Sequence, residues 1–266
     1  MTGVDALEAA RAERWWHTRR RIGSIERAAA FIDDVGFALL FPKSGLAVPS
    51  LWDAVSDRTT ASLPREWGPD IERVWGWKDE LPDRGLAWYG HMLFGRPSFL
   101  SKEMLGLLYP RDGKPGDFRD AGLSPDAGRI AEVLLSSGPT ASATLRLAVG
   151  LDGKAGGNRF SKAIVELGRR LVVTHAGTEE MDAGWPSAVF DLTARAFRIG
   201  RRPAGASTRA AERYLRTVLR AKPGELARAF GWPAASARDE LDSLVRAGSA
   251  VRSSSSYLHA DARGLY

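Results

Sequence analysis

Between residues 24 and 36 the apolar positions Ile25, Ala28, Ala29 and Ile32 recur at helical spacing, behind a Ser24 suited to cap the first turn and ahead of Gly36. The pattern then changes. Phe37-Ala-Leu-Leu-Phe41 is uniformly apolar and stops at Pro42, which predicts buried backbone. Residues 42–70 are rich in Pro, Gly and Ser and read as a long loop or short elements. From 69 to 108, the segments WGWKDELP, AWYGHMLFGR and FLSKEMLGLLY predict two or three helices packed around aromatics. Seven of the nine Trp fall before residue 89, and most are expected in the core. Upstream, 5–21 holds helix-favouring residues, then Trp15 and Trp16, then Arg19, Arg20 and Arg21.

A turn-rich break at 110–116 leads into a different organisation. Ser124 and Pro125 open a helix running to 137, a second is expected at 141–149, and a third at 158–170 with Phe160, Ile164 and Leu167 on one face. Residues 171–174 then predict a strand, 175–186 a wing and 187–192 its return strand. The same order recurs about 85 residues later. Helices are expected at 210–221, 222–230 and 235–247, with Tyr214, Leu215, Val218, Leu241, Leu244 and Val245 inward. A strand follows at 249–252, with a polar tip at 253–256. The expected class is mainly α, with an α+β character: tandem winged helix-turn-helix units at 123–200 and 201–266, behind an N-terminal helical, winged-helix-like domain at 1–122.

Composition narrows the function. At 44% hydrophobic and 26% charged, the 266 residues can bury ordinary cores, which excludes a disordered or collagenous chain. No apolar run reaches the roughly 18 residues that span a bilayer, and the N-terminus lacks an apolar signal core, so a cytoplasmic, nucleoid-associated protein is expected. The absence of Cys excludes disulfides, thiolate nucleophiles and Cys-ligated metals. His17, His91, His175 and His259 lie far apart, and neither a metal nor a small-molecule cofactor is expected.

Charge points to a polyanion. The net charge is +6, but residues 1–192 carry 24 basic against 26 acidic side chains, whereas 193–266 carry 14 against 6. A localised basic field is the footprint of a nucleic-acid binder. In a winged helix the third helix enters the major groove. Candidate phosphate and base contacts are therefore Asn158, Arg159, Lys162, Arg169 and Arg170 in the first unit, with Arg238, Arg246 and Arg252 in the second. Trp75, Trp77 and Lys78 could stack on an extruded base and hold a phosphate, or pack the N-terminal domain. Tandem units supply two reading surfaces in one chain, so a monomer on double-stranded DNA is expected.

Taken together, Val35-Gly36-Phe37 with Pro42, Trp75-Gly-Trp77-Lys78-Asp79-Glu80-Leu81-Pro82, Trp88-Tyr89-Gly90, Gly138-Pro139, Arg159-Phe160 with Ala163-Ile164 and Glu166-Leu167, and Phe190-Asp191-Leu192 resemble the AlkZ-related, YcaQ-type winged-helix proteins over roughly residues 20–250. The resemblance implies tandem winged helices and a DNA partner, since characterised members excise alkylated or crosslinked purines. Active members carry Gln-x-Gln or Gln-x-Asp after the glycine matching Gly36. Here the matching positions are Leu39 and Phe41, with Pro42 retained, and the chain contains no Gln. Apolar side chains cannot orient a water or accept a proton. The further C-terminal domain of the characterised glycosylases is also expected to be missing. Asp33, Asp34, Asp53 and Asp79 are the alternative carboxylates near this segment. Two other readings stay open: an active glycosylase using such a different residue set, and a regulatory or protein-interaction module.

Overall fold

The computed structural model describes residues 3–19, 21–56, 67–181, 186–262 and 264. Arg20, part of the loop expected at 42–70, and the centre of the wing at 182–185 lie outside the described residues. In chain order the helices and strands are α1 Gly3–Arg14, α2 Ile25–Val35, β1 Phe37–Leu39, α3 Leu51–Val55, α4 Pro69–Asp83, β2 Trp88–Gly90, β3 Ser98–Leu100 and α5 Lys102–Leu108. Next come α6 Pro125–Ser137, β4 Thr140–Ala141, α7 Ser142–Ala148, α8 Gly153–Arg169, β5 Val173–Glu179, β6 Ser187–Leu192 and α9 Thr193–Ala196. The last are α10 Ala206–Val218, β7 Arg220–Ala221, α11 Pro223–Phe230, α12 Ala234–Arg246, β8 Ala250–Ser253 and β9 Ser256–His259.

Among the described residues the strands form three small sheets, ordered β1-β3-β2, β4-β6-β5 and β7-β9-β8. Each follows the sequence helix, strand, helix, helix, strand, strand, with the last strand in the middle. The chain is therefore three winged-helix units, and the N-terminal one has the same topology as its two successors. Their third helices are α4, α8 and α12.

The first unit also carries the main secondary-structure correction. The segments around Trp88 and Phe99, expected to be helices, are the antiparallel strands β2 and β3, with Trp88 opposite Leu100 and Tyr89 opposite Phe99. Burial explains the misreading. Phe37, Leu39, Trp88 and Leu100 face a core shared with α5 and the third unit. Ala38, Leu40, Tyr89 and Phe99 face the core under α2, α3 and α4. A strand buried on both faces loses the polar alternation that marks half-buried strands. Only Gly36 serves the junction ahead of β1. Its φ is +84°, and a Cβ there would lie 2.8 Å from Arg213 Nε.

Long-range bonds lock the units together. Thr217 Oγ1 donates to Val35 O at 2.6 Å and Trp15 Nε1 to Thr217 O at 2.8 Å, which ties the first unit to the third. Trp88 Nε1 donates to Thr193 Oγ1 at 3.1 Å, and Thr174 Oγ1 to Tyr89 O at 3.1 Å, which ties the first to the second. Gly168 allows α8 to reach the loop after β2, because a Cβ there would stand 2.7 Å from His91 N.

Candidate nucleic-acid interface

Helix α8 begins earlier than its sequence suggests. Gly153, Gly156 and Gly157 weaken helix propensity and mask its first turn. Yet Gly156 is required by packing, since a Cβ would lie 2.5 Å from the Leu151 carbonyl carbon. The extra turn adds Lys154, which sequence reasoning missed. Lys154, Asn158 and Lys162 then follow one another at intervals of four residues, all exposed on one stripe. The opposite face buries Phe160, Ala163, Ile164 and Leu167. The helix's one acid, Glu166, is occupied by Ser124, whose N–H and Oγ–H donate to it at 2.8 and 2.6 Å.

Other expected contacts are already engaged. Arg159 is exposed but forks onto Asp126, Nε to Oδ2 at 2.9 Å and Nη2 to Oδ1 at 2.7 Å. Arg169 is a correction: its guanidinium donates to Met92 O, and to Ala229 O at 3.1 Å, so it clasps all three units instead of reaching a phosphate. Arg170 also turns inward at one end, donating to Ala121 O. Arg238 and Arg252 are exposed, with Arg252 5.8 Å from the Tyr257 ring centroid. However, α12 carries Asp239, Glu240 and Asp242 against Arg238 and Arg246, so it has no cationic face comparable to that of α8.

The C-terminal basic excess is likewise partly architectural. Arg195 pairs with Asp191 and donates to Leu134 O at 2.7 Å, Arg202 donates to Leu107 O at 3.1 Å, and Arg213 donates to Asp33 O. Net charge counted these side chains as available because sequence does not show their carbonyl partners.

Helix α4 is different. Trp77 is 8% exposed and packs in the first unit's core, which removes it as a stacking platform. Trp75 is 42% exposed. Lys78 is buried and ion-paired with Asp79, and its Nζ lies 4.6 Å from the Trp75 ring centroid, so it is not a free phosphate ligand. Across the seam, His175 Nδ1 donates to Asp79 Oδ1 at 2.7 Å. His175 itself is wedged edge-on between Tyr89 and Phe190. Burial alone would raise the Asp79 pKa, but the His175 hydrogen bond and the charges of His175 and Lys78 outweigh it and hold the carboxyl below its ordinary value. Burial pushes His175 down, against the pull of Asp79. No local pattern marks His175, which lies 96 positions from Asp79.

The remaining acids are not gathered into a site. Asp33 is exposed, and partial burial raises its pKa against the pull of Lys102 and Arg213. Asp34 accepts from Trp16 Nε1 at 2.6 Å and Arg14 Nη1 at 3.0 Å; burial opposes ionisation, yet these bonds lower its pKa. Asp53 completes the cap of α3, accepting from Ser50 Oγ at 2.7 Å while its N–H donates back at 3.0 Å. Leu39 is buried in the core between the first and third units, and Phe41 packs 5.9 Å from Trp52. Among the described residues no cluster of three or more His, Asp or Glu could hold a metal, and no helix is long and apolar enough to cross a membrane.

Three winged-helix units with a basic stripe on the middle third helix define a multi-unit winged-helix protein. Comparison with family descriptions matches AlkZ-related over residues 22–231, and the chain belongs to that family. Among solved structures it is similar to the Streptomyces sahachiroi DNA glycosylase AlkZ, with a TM-score of 0.58 and 16% identity, covering 100% of this chain and 72% of that one. At that identity the likeness shows the fold. Comparison with curated proteins gives no match.

Proposed function

We propose that this protein binds duplex DNA, with α8 as its principal docking helix, and serves in the recognition of damaged DNA without the family's Gln-based chemistry. The observation that carries the reading is the exposed Lys154, Asn158 and Lys162 stripe on the third helix of the middle unit. Exposed lysines there can neutralise backbone phosphates, and Asn158 can reach a base edge. The family membership and the likeness to a protein named as a DNA glycosylase support a DNA partner. Packing supports the absence of the family's chemistry, since Leu39 fills a core position where an unpartnered polar group would cost about 1–3 kcal/mol, and the partly buried Phe41 packs against Trp52.

The test is anisotropy on a labelled duplex across a salt series. Replacing Lys154 and Lys162 by Ala is expected to weaken binding and flatten the log–log salt slope by about one unit for each phosphate no longer neutralised. An unchanged slope would remove α8 from the interface. Alkaline cleavage of the same samples carrying an alkylated purine is expected to show no base release, and lesion-dependent strand breaks would favour an active glycosylase with a different residue set.

A further inference from the structure

The cleft between α4 and the β5–β6 hairpin has a volume of about 660 Å³, ample for one planar ring. Its chemistry is the reverse of the α8 stripe. Trp75 offers a partly exposed indole, with Trp67 edge-on at 6.2 Å and Lys78 near its ring. The buried Lys78–Asp79 pair lines the cleft, with His175 behind Asp79. Glu80 and Asp83 add carboxylates from α4, and Thr178 adds a hydroxyl from the strand opposite. Between His175 and Thr178 the hairpin register shifts, and Gly177 there takes φ +99°, where a Cβ would lie 3.5 Å from Asp83 Oδ1.

Acceptors dominate these walls. Asp79 is occupied by Lys78 and His175 and Glu80 pairs with Arg84, so Asp83 and the Thr178 hydroxyl are the acceptors left to a ligand. Such a surface repels a phosphate backbone. It suits an uncharged aromatic ring whose face lies on Trp75 and whose amino hydrogens point at Asp83. Thymine presents carbonyl oxygens where adenine and cytosine present an amino group, and so meets repulsion. We propose that this cleft takes a single unpaired nucleobase bearing an exocyclic amino group on its major-groove edge, namely adenine or cytosine in preference to thymine. The inference deepens the DNA-binding reading and rests on it.

The deciding experiment measures anisotropy for three duplexes: fully paired, with one bulged adenine and with one bulged thymine. The bulged adenine is expected to bind about tenfold tighter than the paired duplex, as one stacked base contributes, with bulged thymine gaining less than about threefold. Trp75→Leu should bring the adenine ratio to about one; because Trp75 is partly exposed, its loss leaves the core intact. Equal binding of all three duplexes, or an adenine preference that survives Trp75→Leu, overturns the cleft while leaving DNA binding by α8 in place. Equal preference for adenine and thymine bulges overturns the selection by Asp83. Loss of binding to every duplex would count against the DNA reading itself. In that case, quenching of tryptophan fluorescence by adenosine, absent in Trp75→Leu and weaker with thymidine, judges the cleft alone; no quenching overturns it.

Discussion

Helices α4 and α8 occupy the same place in two successive winged-helix units, yet their surfaces have opposite character. Helix α4 carries Asp70, Glu72, Asp79, Glu80 and Asp83 against Arg73 and Lys78, and both cations are paired within the helix. Helix α8 carries Lys154, Arg159, Lys162 and Arg169 against a single acid held by Ser124. The difference follows from what each helix packs on. The second half of α4 is covered by β5, and the Asp79–His175 bond closes that seam. Among the described residues no strand covers the exposed face of α8. Position in a repeated fold therefore does not fix a helix's role; the neighbouring unit does.

The largest expected effect comes from breaking the seam. Asp79→Ala leaves Lys78 and His175 buried without their carboxylate, and is expected to destabilise the protein by about 3–5 kcal/mol in urea unfolding. Lys162→Ala on α8 is expected to move stability by no more than about 0.5 kcal/mol. Equal effects would erase the contrast between the helices.

A pH series sharpens the same point. Burial holds His91 at about 4, below its ordinary 6.5, and lowers His175 as well. The unfolded chain therefore binds more protons than the folded one between these values. Stability should be full above about pH 6.5 and fall as the pH drops toward 4. Asp79, lowered in the fold, adds a further loss below its ordinary 3.8. His91→Asn should flatten the first slope in urea midpoints taken between pH 7 and 4.5, whereas a slope unchanged by that substitution would mean that other groups carry it.

The smallest expected effect tests the stripe itself. Because Arg159 is neutralised by Asp126, Arg159→Ala should change the salt slope of duplex binding by less than about half a unit, well below the change from removing Lys154 and Lys162. A drop of a full unit would show that Arg159 leaves Asp126 for a phosphate.

Much of the architecture was legible because helix periodicity is a local property. Helices α6, α7, α10, α11 and α12 were readable from their apolar spacing and from breakers such as Gly138, Pro139 and Pro223. The strands β2 and β3 were not, because the third unit covers a face that would otherwise have been polar. The candidate site divides in the same way. Exposed Asn158 and Lys162 follow from the helical period of Phe160, Ile164 and Leu167. The burial of Trp77 and the clasp made by Arg169 do not.

The sequence by itself determined the three helices of the second and third units, the apolar run from Phe37 to Phe41, and the exposure of Asn158 and Lys162 on α8, since each depends on residues within a few turns of one another. Tertiary structure alone decided which charges remain available. Arg169 is committed to carbonyls 77 and 60 positions away, and Asp79 to a histidine 96 positions away. Such pairings depend on how the units pack, because a charge is free or bound only relative to partners that folding brings from distant parts of the chain.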